Sequence, residues 1–205
     1  LVMATPILTA IEQGIKDTIK AYYDVHGHNV RQIKSYGGDF DMQNPDEFAQ
    51  VVSQFPAIWV TFKQAKPPVK ITNRRKAREY VFTVLVGASS QRVEETARQG
   101  AFDKTGKMLS VGSYQLISDV EQALERSRLG LPIEPLEDGS ITTLFNTRTQ
   151  NQTVSVLAYD WIVTATTSSA ADETDEPWLD VVAIDYILDE AHGYQAIARD
   201  INKLT

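Results

Sequence analysis

The stretch REYVFTVLVGA, residues 78–88, constrains this chain more than any other. Tyr80, Phe82, Val84 and Val86 alternate with Val81, Thr83 and Leu85, so both faces of a strand here are apolar. A strand with no polar face belongs inside a sheet, covered on both sides. Such a strand needs neighbours. AIWVTFKQA (57–65) precedes it, with Ile58, Val60 and Phe62 alternating with Trp59, Thr61 and Lys63. SITTLFNTRT (140–149) and QTVSVLAYDWIVTAT (152–166) follow as two more strands around a polar turn near Gln150 and Asn151. A strand is also expected at Val30 to Tyr36, and a last one in WLDVVAIDYIL (178–188).

The helices that cover such a sheet are readable from spacing. Thr5 and Pro6 make a helix start, and Ile7, Ile11, Ile15, Ile19 and Tyr22 recur at helical intervals, which predicts a helix over 6–22. Asn44, Pro45, Asp46 and Glu47 start a second, with Phe48, Val51, Val52 and Phe55 as its apolar stripe and Pro56 as its end. VGSYQLISDVEQALERSRLG (111–130) is the strongest helical segment, with Tyr114, Ile117, Val120 and Leu124 as the stripe and Gly130 at the position after the C-cap. The polar run 87–107 reads as a loop with a helical turn at 93–98, and LPIEPLEDG (131–139) as an extended connector. Hairpins joined by helices make an α+β domain: a mostly antiparallel sheet with helices packed on it, over 1–188. Residues 189–205 form a C-terminal tail, expected to be helical from the spacing of Tyr194, Ile197 and Ile201.

Composition fits one soluble globular domain: 205 residues, 42% apolar and 23% charged. The absence of cysteine excludes disulfides and thiolate metal sites. No stretch approaches about 18 consecutive apolar residues, so no membrane span is expected. LVMATPILTA lacks the basic and long apolar regions of a signal peptide.

Catalytic chemistry finds little to work with. His26-Gly27-His28 has ligand residue types near Asp24 and Asp39, but histidines two apart share a side only in a strand, and these fall between elements. A solvated turn is expected there, and likewise at His192 beside Gly193. Asp39 and Asp41 lie in a loop, not facing each other on rigid elements as a hydrolytic pair would. No nucleophile elbow and no phosphate loop occurs. The aromatics fall on strand and helix faces, apart from Trp178 beside Pro177. The expectation is a protein that is not an enzyme and holds no metal or cofactor.

One segment resists a purely structural reading. KQAKPPVKITNRRKAR carries Lys63, Lys66, Lys70 and Lys76 with Arg74, Arg75 and Arg78 and no acidic residue, in a chain of net charge −7. It joins two adjacent strands, so it is a hairpin arm longer than the usual two to five residues, stiffened by Pro67-Pro68. Three readings are open: a solvated edge guarded by lysines, a contact with an acidic protein surface, or a contact with a nucleic-acid backbone. Aromatics do not interleave with the charges, so base stacking is not indicated. The acidic loop Asp172, Glu173, Asp175 and Glu176 lacks the glycine-punctuated spacing of a calcium loop.

Read together, ILTAIEQGIKDTI, FPAIWVTF, REYVFTVLVGASSQR, the run GSYQLISDVEQALERSRLGLPIEPLEDGSITTLFN and VSVLAYDWIVTAT resemble the tail terminators of Mu-like phages and prophages, also called tail-completion or head–tail joining proteins. The likeness spans 7–166 and continues to about Leu188; none of its motifs is catalytic. It implies a virion tail subunit, assembled in the host cytoplasm, that forms a hexameric ring on the end of the tail tube. In a contractile tail the ring would also meet the last sheath layer and the head connector. DNA would pass through it without specific binding. Ring closure by heterologous contacts would need two complementary faces, and the basic arm and the 172–176 loop are candidates by charge.

Overall fold

The computed structural model describes residues 5–26, 30–38, 40, 45–73, 75–90, 94–148, 153–168, 181–186 and 198–203. The elements in chain order are α1 (Ile7–His26), β1 (Gln32–Ser35), α2 (Pro45–Ser53), β2 (Ala57–Ala65), β3 (Val69–Lys70), β4 (Arg75–Ser90), α3 (Glu94–Gln99), β5 (Ala101–Phe102), β6 (Met108–Ser110), α4 (Ser113–Leu124), β7 (Glu137–Arg148), β8 (Thr153–Ser168), β9 (Val181–Tyr186) and β10 (Ala198–Lys203). By compactness the chain separates into Leu1–Ser168 and Ser169–Thr205. This grouping puts β9 in the second unit, whereas the sequence grouped it with the first.

The main sheet runs β1-β2-β4-β8-β7, with β3 also paired to β4. All its pairings are antiparallel except β1 with β2. The fold is thus α+β with a mostly antiparallel sheet, as its sequence pattern requires. β4 lies between β2 and β8, and residues Tyr80–Ala88 are all buried. Two cores result. On one face, Phe82, Val84 and Val86 meet Tyr159, Trp161 and Val163 of β8 under α1 and α4. Ile11, Ile15 and Ile19 of α1 are fully buried there, each worth about 1.5–3 kcal/mol. On the other face, Trp59, Leu85 and Val156 pack against Val51, Val52 and Phe55 at the end of α2. Gly87 makes that packing possible, because a Cβ there would lie 2.7 Å from the Phe55 ring. The helices are tied to each other and to the sheet by polar bonds: Tyr22 Oη donates to Gln122 Oε1 at 2.9 Å, and Ser113 and Ser155 share a buried hydroxyl contact at 2.9 Å.

Four local expectations change. In α4 the buried stripe is Leu116, Ile117, Val120 and Leu124, while Tyr114, in the first turn, is exposed. α4 ends at Leu124, so Gly130 does not follow its C-cap; it sits at φ 68° inside the turn that Leu131 N–H closes on the Arg128 carbonyl. Residues 101–107, expected as loop, form with 108–110 the small β5–β6 hairpin. Residues 198–203, expected as helix, pair antiparallel with β9. Three apolar positions at helical spacing are a weak preference, and a pairing partner overrides it.

Candidate functional site

The basic segment is a braced arm. β2 and β4 pair from Ala57–Gly87 out to Ala65–Tyr80, and β3 continues the first limb through Val69–Ala77 and Lys70–Lys76. Pro67 and Pro68 cannot donate to a ladder, which accounts for the gap between β2 and β3. At the tip, Ile71 N–H and Thr72 N–H donate to the Arg75 carbonyl at 2.9 and 3.1 Å, and Arg75 N–H donates to Thr72 Oγ1 at 3.0 Å. β8 backs the second limb along its whole length, from Arg75–Ser168 to Tyr80–Val163. The expected hairpin is therefore present, with a third strand behind it that spacing could not reveal.

At the base of the arm an extra residue, Lys63, is accommodated by a register shift between Phe62 and Gln64. Its ammonium reaches Asp160 Oδ2 at 2.6 Å. Asp160 Oδ1 accepts from Thr83 Oγ1 at 2.6 Å, and Oδ2 also accepts from Ser140 Oγ at 3.1 Å. Burial pushes the Asp160 carboxyl upward, but the bonds from Lys63, Thr83 and Ser140 and the Lys63 charge outweigh it and hold the group below the ordinary carboxylate value. Opposite Asp160, β7 inserts Gly139 and Ser140 as a bulge between Asp138–Trp161 and Ile141–Tyr159. A Cβ on Gly139 would lie 2.9 Å from the Asp160 carbonyl oxygen. Glycine thus lets β7 close on β8 and brings Ser140 to the carboxylate.

The seven predicted basic residues divide by role. Lys63 is bound to Asp160, and Lys66 pairs with Glu79 at 2.5 Å while its N–H donates to the Glu79 carbonyl. Lys70, Arg75, Lys76 and Arg78 have no ion-pair partner among the described residues. Arg74 and the acidic loop 172–176 lie outside the described residues, as do His28, His192, Asp39, Asp41 and Trp178. His26 belongs to the last turn of α1, stacked on Tyr22 with ring centroids 4.0 Å apart and its Nδ1 2.9 Å from the Tyr22 carbonyl. Among the described residues no group of three His, Asp or Glu side chains comes together to hold a metal ion, and no helix is long and apolar enough to cross a membrane.

Asp160, Thr83, Ser140 and Glu79 were not singled out from the sequence. Asp160 carried a signal: it is the charged residue in a strand face otherwise lined by Val154, Val156 and Ala158.

A family model for bacteriophage Mu Gp37 matches residues 7–166. The chain belongs to the bacteriophage Mu Gp37 family. Membership puts it among phage structural and morphogenesis proteins, components of the virion. The matched span ends within β8 and contains both cores and the whole basic arm. No curated protein sequence matches the chain.

Proposed function

We propose that this protein is a tail terminator: a non-enzymatic subunit that caps the tail tube and sheath of a contractile phage tail as a ring and offers the joining surface to the head. The observation that carries this reading is the Gp37 family match, which covers the same residues, 7–166, that resemble tail terminators. The arm supports it, being a stiff, three-stranded, charged projection suited to reaching a neighbouring protein. Its partners on this reading are further copies of itself, the tube and sheath proteins, and the head connector. The test is to add purified protein to purified tails lacking their head-proximal cap and to look at tube ends by electron microscopy. Caps at one end of the tube, and tube polymerisation stopped at fixed length, are expected. Unchanged, uncapped tubes at saturating protein would refute the reading.

A second reading is favoured by one feature, the exposed Lys70, Arg75 and Lys76 with half-buried Arg78 beside them: the arm would grip a phosphate backbone. Duplex binding that weakens steeply with salt and disappears on reversing these charges would favour it over the first.

A further inference from the structure

The sheet has a ledge. α1 and α4 cover β2, β4 and β8 on the first core face, but β7 lies outside that cover at the sheet edge. Residues 137–144 are all exposed. Ile141 sits opposite Tyr159, on the core side of the sheet, yet remains 49% exposed. Asp138 lies on the same face of β7, opposite Trp161. Glu121 and Glu125 lie at the C-terminal end of α4, which packs into the same core as Tyr159 through Val120 and Leu124. Burial and the fields of Glu121, Asp138 and Glu125 raise the Tyr159 phenol to about 12. Two bulges interrupt the β7 ladder, which disfavours continuous strand addition and leaves side chains as the means of contact.

The arm has matching features. Val69 and Ile71 near its tip are 68% and 55% exposed, and alternation puts them on the face away from Lys70 and Lys76. Lys70 stands directly opposite Lys76 across the β3–β4 pair. Like charges at opposed positions destabilise a strand pair, and no ion pair relieves either one among the described residues. The arm takes seven of the chain's 20 basic residues, leaving 13 against 27 acidic ones elsewhere, so the strongest complement to the arm within reach of its own assembly is another copy.

We propose that the basic arm of one copy docks on the acid-rimmed ledge of the next, with Lys70 and Lys76, which share one face of the arm, meeting Glu121, Glu125 and Asp138. This rests on the reading of the chain as a self-assembling subunit and names the surfaces that assemble. Arm and ledge are different surfaces, so the contact is heterologous and repeats around a ring or along a filament.

The test uses the full chain without any tail component, so its failure is separate from a failure to cap tubes. Molar mass is read by light scattering and sedimentation for the native chain, an arm-reversed chain (Lys70→Glu, Lys76→Glu) and a ledge-reversed chain (Glu121→Lys, Glu125→Lys, Asp138→Lys). The native chain is expected to self-associate, and each reversal to weaken this by about a hundredfold or more, since opposed like charges cost several kcal/mol. Mixing the two reversed chains, or combining all five changes in one chain, restores association, because arm and ledge are again opposite in charge. A native chain that stays monomeric at high micromolar concentration, or reversed chains that associate as the native one does, overturn the proposal. So does arm reversal that abolishes DNA binding while leaving mass unchanged. Should a reversed chain fail to fold, the cysteine-free sequence allows a second measurement. Lys70→Cys mixed with Asp138→Cys under oxidation is expected to give a crosslinked heterodimer in excess of either variant alone; equal yields in all three samples overturn it.

Discussion

Asp160→Ala tests whether the arm is braced from its base. The substitution takes one acceptor from three donors. Thr83 is 8% exposed, and its bond to a carboxylate is of the charge-assisted kind, worth about 1.5–3 kcal/mol. The Lys63 side chain is 49% exposed against 14% for Asp160, so their ion pair is screened and contributes about 0.2–1 kcal/mol. Ser140 is exposed and adds little. The loss is about 2–4 kcal/mol, which for a chain of this size lowers Tm by about 4–16 °C. The pH dependence has a definite sign. The folded carboxyl titrates below its unfolded value of about 4, so its contribution is complete above that value and is lost as pH falls through the folded one. Urea unfolding followed by tryptophan fluorescence, at neutral pH and again at about pH 2–3, should show the gap between native and variant chains narrowing in acid. A cost under about 0.5 kcal/mol, or a gap that does not change with pH, would refute the role assigned to Asp160.

Other substitutions probe the two cores and the arm separately. Gly87→Ala places a methyl 2.7 Å from the Phe55 ring and should cost about 1–3 kcal/mol in urea unfolding, with Phe55→Leu in the same chain recovering part of it. Trp59→Ala should cost about 3–5 kcal/mol, since Trp59 is fully buried against Phe40 and Phe55. Trp59→Phe should cost far less by the same assay, because the indole N–H it removes has no acceptor among the described residues. Val69→Ser with Ile71→Ser, both at exposed positions on the face of the arm away from Lys70 and Lys76, should change stability by no more than about 0.5 kcal/mol in thermal melts and leave self-association unchanged.

Legibility in the sequence followed burial. The two-sided pattern of β4 made it central, and the isoleucine ladder of α1 named Ile11, Ile15 and Ile19 as core, because regular alternation and helical spacing are the imprint of one-sided or two-sided cover. The β5–β6 hairpin left no such imprint: its strands are two and three residues long and largely uncovered. β10 is fixed by its pairing with β9, which helical spacing in the tail could not foresee. The arm was visible as charge, but its brace was not. Asp160 lies 77 residues from Thr83 and 97 from Lys63 along the chain, and only the strand register makes them neighbours. The same holds for the ledge, whose acids come from α4 and β7 and converge through the packing of both on β8.

The position of Asp160 bears on how two surfaces of one subunit can work together. It lies on β8 and bonds to Lys63 of β2, Thr83 of β4 and Ser140 of β7, so one carboxylate holds the base of the arm and the ledge strand against the centre of the sheet. A heterologous contact closes into a ring only if every subunit presents its two surfaces at the same angle; otherwise it runs on as a filament. Stiffness between arm and ledge then matters as much as affinity. Charge reversal changes the affinity of one surface and leaves their relative placement alone. Asp160→Ala does the opposite, since it touches neither Lys70 and Lys76 of the arm nor the acids of the ledge. Copies joined arm to ledge should therefore respond differently to the two kinds of change: fewer assemblies after charge reversal, and assemblies of mixed size after Asp160→Ala.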